Sequence, residues 1–316
     1  MPLRIDYRSE GFPPGMSLLS GRHALTTSWD DLLWSAITVG RPNRQFVFQH
    51  GTASVYEALF RLSLIRMALE QAGQHGWRLR RTNAARTLDP TEKGAVSYFV
   101  GLAVCKLFAA KLLDAPWMLH LDVFRPALDV QLSARSRPDL VGQTRAGQWI
   151  ALECKGRISA PDKKTIERAK QQAKRVVSVS GTAPSYHIGG FAFFKNDVLE
   201  FCWLDPDPEP EIRNPISVQP TSDTWREYYR PVLELVRSRQ TYFAQMHEEP
   251  VLMPVEEADI KIGIEPSVLR HLDIGQWDGA REAAQATRPS EISYQVDGIA
   301  VVAGPSWLER YADVER

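Results

Sequence analysis

The chain of 316 residues is 44% hydrophobic, so it can bury one large core or two modest ones. Its three cysteines stand in apolar contexts without metal-ligand spacing, which argues against a disulfide framework and favours a reducing compartment. No stretch approaches about 18 uninterrupted apolar residues, and the first residues lack an apolar leader. We therefore expect a cytoplasmic protein with no membrane partner.

The formal net charge of zero conceals a strong asymmetry along the chain. Basic residues exceed acidic ones by 10 in residues 78–178, whereas acidic residues exceed basic ones by 11 in residues 179–316. A basic block of this kind is expected of a segment that binds a polyanion. The acidic third would discourage non-specific binding, contact a protein partner or mimic the polyanion, and the sequence does not choose among these roles.

In chain order, residues 1–90 are predicted to form a mainly helical N-terminal region. A short apolar helix is expected at 29–37, between segments punctuated by Gly and Pro. In residues 52–72 apolar side chains recur at helical spacing, and Thr52 or Ser54 is a suitable cap. These apolar positions are Val55, Leu59, Leu62, Ile65 and Leu69.

Residues 91–204 have the pattern of an α/β unit, because helical and strand-like periodicities alternate along them. The predicted elements are a helix at 91–113, strands at 116–123, 127–136 and 148–155, a helix at 162–178 and a strand at 185–204. This order predicts a mixed sheet that is preceded and followed by a helix.

An acidic, proline-rich linker at 205–221 follows and is the best domain boundary in the chain. Beyond it, residues 222–316 are predicted to form a smaller α+β region. Its first part, up to about Met246, is expected to be helical, with Pro231 kinking or dividing the helix. No catalytic motif indicates a role for this region.

The most informative residues are charged groups at the ends of two apolar strands. Asp139 follows the alternating segment 127–136, and Glu153 and Lys155 end the next strand. Because side chains alternate along a strand, Glu153 and Lys155 share one face while Cys154 points to the other. A strand that is apolar on both faces normally excludes charge. The two explanations are a buried Glu–Lys ion pair and a metal site.

Pro138-Asp139, then 13 residues, then Glu153-Cys154-Lys155 resembles the motif of the PD-(D/E)xK nuclease superfamily. That superfamily includes many restriction endonucleases, Holliday-junction resolvases and RecB-like nuclease domains. The resemblance covers about residues 91–204. It implies an α/β fold with a restriction-endonuclease-like αβββαβ core and a mixed central sheet.

The resemblance also implies a Mg²⁺ cofactor for which Mn²⁺ would substitute. Asp139, Glu153 and the backbone carbonyl of Cys154 would supply the hard oxygen ligands that Mg²⁺ prefers. Lys155 would position the attacking water or stabilise developing negative charge. The Cys154 thiol faces away in this arrangement, which disfavours zinc bound through sulfur.

Two further positions match the family pattern and also have an ordinary explanation. Many members carry an acid on the helix before the sheet, where Glu92 stands, but a first-turn acid also simply complements the helix dipole. RecB-like nucleases have a Gln followed four residues later by a Tyr. Gln172 matches the Gln, but Val176 stands in place of the Tyr. Gln172 is therefore either a helper in catalysis or a solvated residue beside the apolar stripe of its helix.

Basic residues surround the motif and form a predicted phosphate-contact surface. A run of charges is usually a solvated helix face, and its position beside a phosphodiesterase centre favours the functional interpretation. The predicted nucleic-acid-binding residues are Arg135, Arg137, Arg157, Lys163, Lys164, Lys170 and Lys174.

These observations lead to the expectation of a Mg²⁺-dependent DNA endonuclease that serves as a restriction-like or phage-defence effector. Many nucleases of this superfamily form dimers, so the resemblance also implies a homodimer. The first alternative is a catalytically silent nuclease-fold module that binds nucleic acid or a protein partner. The second is an unrelated α/β protein whose Glu153–Lys155 pair is structural. A protein partner, if there is one, is expected at the acidic C-terminal region.

Overall fold

The computed structural model describes residues 2–13, 15–39, 52–72, 77–122, 128–130, 137–205, 214–244, 252–286 and 292–309. Within these residues the chain is a mixed α/β fold built around a nine-stranded sheet. The mixed sheet and the α/β class that the sequence predicts are confirmed.

The central sheet is mixed because two of its strand pairs are parallel. Its strands are β1 (Leu3–Glu10), β2 (Gly21–Thr27), β3 (Leu69–Gln71), β4 (Leu79–Arg81), β5 (Trp117–His120), β6 (Leu140–Gln143), β7 (Trp149–Arg157), β9 (Tyr186–Lys195) and β10 (Val198–Leu204), with β8 (Val176–Val179) lying outside it. The strand order is β2-β1-β10-β9-β7-β6-β5, with β4 on β10 and β3 on β4. Pairs β1–β10 and β7–β9 are parallel, and the others are antiparallel.

Two smaller sheets complete the described strands. Strand β8 pairs in parallel with β11 (Ile216–Val218), and an antiparallel sheet joins β12 (Met253–Val255), β13 (Ile260–Ile264) and β14 (Ile299–Ala303).

Eight α-helices lie in the described part of the chain. They are α1 (Trp29–Thr38), α2 (Thr52–Ala68), α3 (Asn83–Thr87), α4 (Pro90–Leu112), α5 (Lys163–Ala173), α6 (Thr224–Ala244), α7 (Pro266–Asp273) and α8 (Trp277–Gln285). Helix α6 contains Pro231 and continues through it as one helix.

Helix α4 is the central helix and lies directly against β7 and β9. Glycines allow this approach: a Cβ on Gly156 would collide with the backbone carbonyl of Ser97, and one on Gly190 would lie 2.8 Å from the Cys105 sulfur. By length and composition alone α4 could cross a membrane, but 67% of its most apolar stretch is buried inside the protein. That burial is compatible with the core helix of a soluble protein.

The C-terminal region shares the core of the rest of the chain. Asp297 is fully buried and accepts hydrogen bonds from Trp34 Nε1 (2.9 Å) and from the Tyr228 hydroxyl (2.6 Å). The same Tyr228 hydroxyl accepts a hydrogen bond from the buried Lys106 ammonium at 2.8 Å. Asp297 therefore connects side chains from α1, α4 and α6 in one buried polar network.

The structure differs from the sequence-based expectations outside the motif. The N-terminal 1–90 region, expected to be mainly helical, contributes β1 to β4 to the central sheet. The predicted linker at 205–221 contains strand β11, and its residues 206–213 lie outside the described part. Alternating polar residues in β1 and β2 were not recognised because these strands have one solvated face.

Within 91–204 the structure follows the predicted order of a helix, three strands and a second helix, but it adds the short strand β8, and three boundaries are wrong. The strand expected at 127–136 is not seen at 128–130, and most of its other residues lie outside the described part. The strand that directly precedes the turn at 144–147 is β6, at 140–143. The helix expected at 162–178 ends at Ala173, where β8 soon begins. The strand expected at 185–204 is a hairpin, whose turn residues Asn196 and Asp197 both have positive φ.

Candidate active site

Pairing between β6 and β7 brings the two motif halves together. Leu140 pairs with Leu152, so Asp139, the residue before β6, comes level with Glu153 in the neighbouring strand. The backbone carbonyl of Asp139 accepts a hydrogen bond from the Leu121 N–H at 2.8 Å, which holds Asp139 next to the end of β5. Asp139 therefore lies directly before β6. The sequence had suggested instead that it ends a strand.

The Asp139 carboxylate is oriented by the backbone of β7. Its Oδ2 accepts a hydrogen bond from the Cys154 N–H at 2.9 Å. The N–H and C=O of one residue in an extended strand point to the same side. The Cys154 carbonyl therefore faces the Asp139 side of β7, where the sequence analysis places a third oxygen ligand.

Glu153 is the most deeply buried acid of the motif, with 1% of its surface exposed. Burial, with a further contribution from the nearby Asp139 carboxylate, raises the pKa of its carboxyl group to about 8 against the opposing effect of Lys155. Its Oε2 atom is buried and receives no hydrogen bond within the described residues. Within the described residues, the Oε2 atom of the buried Glu153 therefore lacks a positively charged partner.

Lys155 lies on the same face of β7 as Glu153, and its ammonium contacts Glu153 Oε1. Burial alone would lower the Lys155 pKa, but the Glu153 carboxylate outweighs it, so the Lys155 pKa is raised and the side chain is cationic. Cys154 points to the opposite face, where its thiol interacts with that of Cys105 in α4. The alternation of faces predicted from the sequence is confirmed.

These residues fit a hard divalent cation. The buried, unpartnered Glu153 Oε2 and the adjacent Asp139 carboxylate offer negative oxygens that a cation would neutralise. No third His, Cys, Asp or Glu joins them in a metal-binding cluster among the described residues. Mg²⁺ is usually held by one or two carboxylates and completes its shell with water and phosphate oxygens, so a pair is sufficient.

Glu92 does not join this pair in the structure. It occupies the third position of α4 and forms a capping box with Asp89, whose backbone N–H donates to Glu92 Oε2 at 3.3 Å. The Asp89 side chain in turn accepts from the Thr91 and Glu92 N–H groups. This geometry supports the helix-cap interpretation of Glu92 over the metal-ligand interpretation.

Gln172 is connected to the motif through the backbone. Its Nε2 donates to the Arg137 carbonyl at 3.3 Å, two residues before Asp139. Val176 is buried in β8 and belongs to no helix, so the helical Gln-to-Tyr spacing of RecB-like proteins has no counterpart here. Gln172 is thus half-buried and placed to position the segment that carries Asp139.

The predicted phosphate-contact residues have different environments. Lys163 and Lys164 are exposed, while Arg157 and Lys170 are half-buried, and Lys170 pairs with Glu167 at 3.6 Å. Arg137 forms an ion pair with Asp122. Lys174 is buried just past the end of α5, which places it out of reach of a phosphate and corrects that prediction. Arg135 lies outside the described residues.

Two residues near the carboxylates were missed by the sequence analysis as site components. The Tyr98 hydroxyl and His120 Nε2 are hydrogen-bonded at 3.0 Å. Burial raises the pKa of Tyr98, and the Asp139 and Glu153 carboxylates raise it further, so the phenol lies within electrostatic range of both acids. Tyr98 was hidden because it interrupts an apolar helix, and His120 because single histidines are common in cores.

No protein-family model, curated protein or solved structure matches the chain.

Proposed function

We propose that the protein is a metal-dependent endonuclease that hydrolyses phosphodiester bonds of DNA. The observation that carries this proposal is the buried Glu153 carboxyl group, which lies beside Asp139 with one unpartnered oxygen and with Lys155 on its other oxygen. A structural Glu–Lys pair would not require a second carboxylate next to it, because like charges destabilise each other. Two acids and a lysine converging at one strand end are the groups that such a reaction uses.

The finer fold assignment supports the same proposal. From α4 to β9 the elements follow the order helix, three strands, helix, strand, once the short β8 is set aside. That order resembles the αβββαβ core of restriction-endonuclease-like proteins, with Asp139 directly before its second strand and Glu153 on its third. A restriction-like or phage-defence role rests on this analogy alone.

The proposed chemistry assigns each residue one task. Asp139, Glu153 and the Cys154 carbonyl would hold Mg²⁺, or Mn²⁺ in its place. The bound cation supplies charge neutralisation at the scissile phosphate and activation of water near neutral pH. Lys155 stabilises the negative charge that develops on the phosphate oxygens and orients the attacking water. Gln172 acts through the Arg137 carbonyl as a positioning residue for Asp139.

Supercoiled plasmid provides the first test. Purified protein is incubated with plasmid and Mg²⁺, Mn²⁺ or EDTA, alongside Lys155→Ala and the matched control Lys261→Ala, which removes an exposed lysine of β13. We expect nicking or linearisation with either metal and none in EDTA. Loss of one electrostatic donor should slow cleavage by about 10²–10³-fold in Lys155→Ala and leave Lys261→Ala unchanged.

Two outcomes would contradict the proposal. Cleavage that is equal in wild type and Lys155→Ala would point to a contaminating nuclease. Absence of cleavage in every condition, with equal DNA binding by wild type and Lys155→Ala, would favour the catalytically silent binding module.

A further inference from the structure

A strip of aromatic side chains extends from the candidate active site onto the protein surface. It consists of Tyr56 and Phe60 on α2 and of Tyr98 and Phe99 on α4, and we call it the aromatic strip. Its rings are unusually accessible: Tyr56 is 62% exposed, Phe60 54% and Tyr98 37%. Large apolar side chains that are exposed in a contiguous group commonly mark a binding surface.

The strip is ordered by contacts between its own members. Phe60 meets Phe99 edge-on, with ring centroids 5.9 Å apart and planes at 88°. Phe99 in turn meets Tyr98 at 5.6 Å and 65°. The Arg61 guanidinium lies 5.5 Å from the Phe99 ring centroid and donates a hydrogen bond to the Val39 carbonyl. This buried cation therefore packs against the Phe99 ring of the strip. The rings of Phe60, Phe99 and Tyr98 are therefore held in defined positions, and those of Phe60 and Tyr98 stay accessible.

Tyr98 connects the strip to the carboxylates. Its hydroxyl is hydrogen-bonded to His120, the residue that pairs with Leu140 next to Asp139. Its backbone lies against Gly156, immediately after Lys155, where a Cβ would come within 2.9 Å of the Tyr98 nitrogen. The end of β7 that carries the motif lysine thus packs against the backbone of α4 at Tyr98.

We propose that the aromatic strip stacks the unpaired bases of a DNA strand whose scissile phosphate lies at Asp139 and Glu153. This inference rests on the proposed function and names its substrate class: single-stranded DNA, or the unpaired segment of a flap, bubble or branched molecule. Each base offers a π face to an aromatic ring, and such stacking tolerates any sequence. In an intact duplex the base faces are covered by neighbouring bases, so the strip has nothing to stack on.

Charge favours nucleic acid over a second protein as the occupant. Lys155 and Arg157 lie at the end of β7 that carries the motif, and Lys163 and Lys164 are exposed at the start of the helix that follows. Residues 78–178 carry ten more basic than acidic residues. Aromatic rings for the bases beside cations for the phosphates are the combination that single-strand binding requires.

Binding in EDTA tests the inference without cleavage. The probe is a fluorescein-labelled 20-nucleotide oligo(dT), and its dissociation constant is measured by anisotropy at one fixed salt concentration. Phe60→Leu and Tyr56→Leu remove a ring but keep apolar bulk, and Phe60→Trp keeps a ring. The matched control Leu18→Ala removes an equally exposed side chain (53%) in the connection between β1 and the edge strand β2, away from the motif strands in the strand order.

We expect each Leu substitution on the strip to weaken oligo(dT) binding by about 5- to 100-fold, with Phe60→Trp and Leu18→Ala close to wild type. With Mg²⁺, wild type should cleave oligo(dT) or a flap in preference to blunt duplex, and Phe60→Leu should lose that preference.

Unchanged oligo(dT) binding in Phe60→Leu and Tyr56→Leu would overturn the inference, as would absence of binding by wild type. Sedimentation of wild type as a dimer that Phe60→Leu dissociates, with binding unaffected, would identify a second copy of the chain as the occupant and also overturn it. The proposed function fails separately: ring-dependent binding with no Lys155-dependent cleavage would leave the strip supported and the nuclease disproved.

Discussion

The Asp139 carboxylate accepts a hydrogen bond from the Cys154 backbone N–H at 2.9 Å, and this one contact joins the two halves of the motif. It turns an acid at the start of β6 toward the carbonyl side of Cys154 and toward the Glu153 side chain. Mutual repulsion of the two acids opposes this arrangement unless a proton or a cation lies between them. We therefore expect the paired acids to lower the stability of the metal-free protein and to favour binding of a cation.

Glu153 should make the metal-free protein less stable as the pH rises. Its pKa is about 8 in the folded protein against an ordinary 4.5, so between these values the folded state binds more protons than the unfolded state. The free energy of unfolding in EDTA should therefore fall through that window, by at most on the order of 5 kcal/mol. Thermal melts at pH 5.5, 7 and 8.5 measure the effect.

Glu153→Gln supplies the variant for this experiment, because its amide does not titrate. We expect a flatter pH profile, and a loss of the stabilisation that Mg²⁺ gives wild type at pH 8.5. Glu167→Gln, on the exposed face of α5, is the matched control and should behave as wild type. A wild-type profile that rises from pH 5.5 to 8.5 in EDTA would contradict the raised pKa.

Asp139→Asn should separate folding from catalysis. The Asn side-chain oxygen still accepts from Cys154, and the repulsion with Glu153 disappears, so the melting temperature in EDTA should stay level or rise. Metal-dependent cleavage should be lost. Asp139→Ala, which also removes the acceptor for the Cys154 N–H, should lower stability by about 1–3 kcal/mol. A sharp fall in the melting temperature of Asp139→Asn would count against paired acids.

Gln172→Ala should weaken the site without unfolding the protein. Gln172 holds the Arg137 carbonyl, and loss of a residue that orients metal ligands typically costs about 10–100-fold in metal affinity or activity. The Mg²⁺ concentration that gives half of the thermal shift should rise accordingly, while the melting temperature in EDTA stays near wild type. The adjacent, exposed Gln171→Ala is the control, and equal behaviour of the two variants would remove Gln172 from the site.

Glu92→Ala should act on the helix and leave the chemistry intact. Because Glu92 closes the capping box of α4, its removal should cost on the order of 1 kcal/mol of stability. Its Mg²⁺ titration, measured by thermal shift, should match that of wild type. A displaced Mg²⁺ titration would restore Glu92 as a metal ligand.

Lys106 and Asp297 should be strongly coupled although neither belongs to the site. Burial lowers the pKa of Lys106, and the nearby Asp297 carboxylate opposes that shift. Lys106→Met should destabilise by about 3–5 kcal/mol, because it leaves a buried acid without its cation. Adding Asp297→Asn should recover part of the loss. Denaturant unfolding of both single variants and the double variant measures the coupling, and additive losses would show that the two groups are independent.

How far the sequence could be interpreted is clearest at β7. Its apolar run, its Glu and its Lys predicted a buried strand with two charges on one face, because side-chain alternation depends only on local backbone geometry. The alternating segment at 127–136 led to a wrong boundary for the strand before β7. Short periodic patterns do not reveal which residues find a pairing partner in the sheet. Strand β1 was missed for a related reason: besides its neighbour β2 it pairs with β10, which lies far away in sequence.

The sequence by itself determined the mixed α/β class, the order of elements from α4 to α5, and the residue types of the motif, all of which follow from local periodicity and composition. Only the tertiary structure decided that Asp139 reaches Glu153, that Glu92 caps a helix, that Lys174 is buried and that Tyr98 is hydrogen-bonded to His120. Those outcomes depend on strand register and helix packing. Register and packing depend in turn on contacts between residues far apart in the chain, and no local pattern records them.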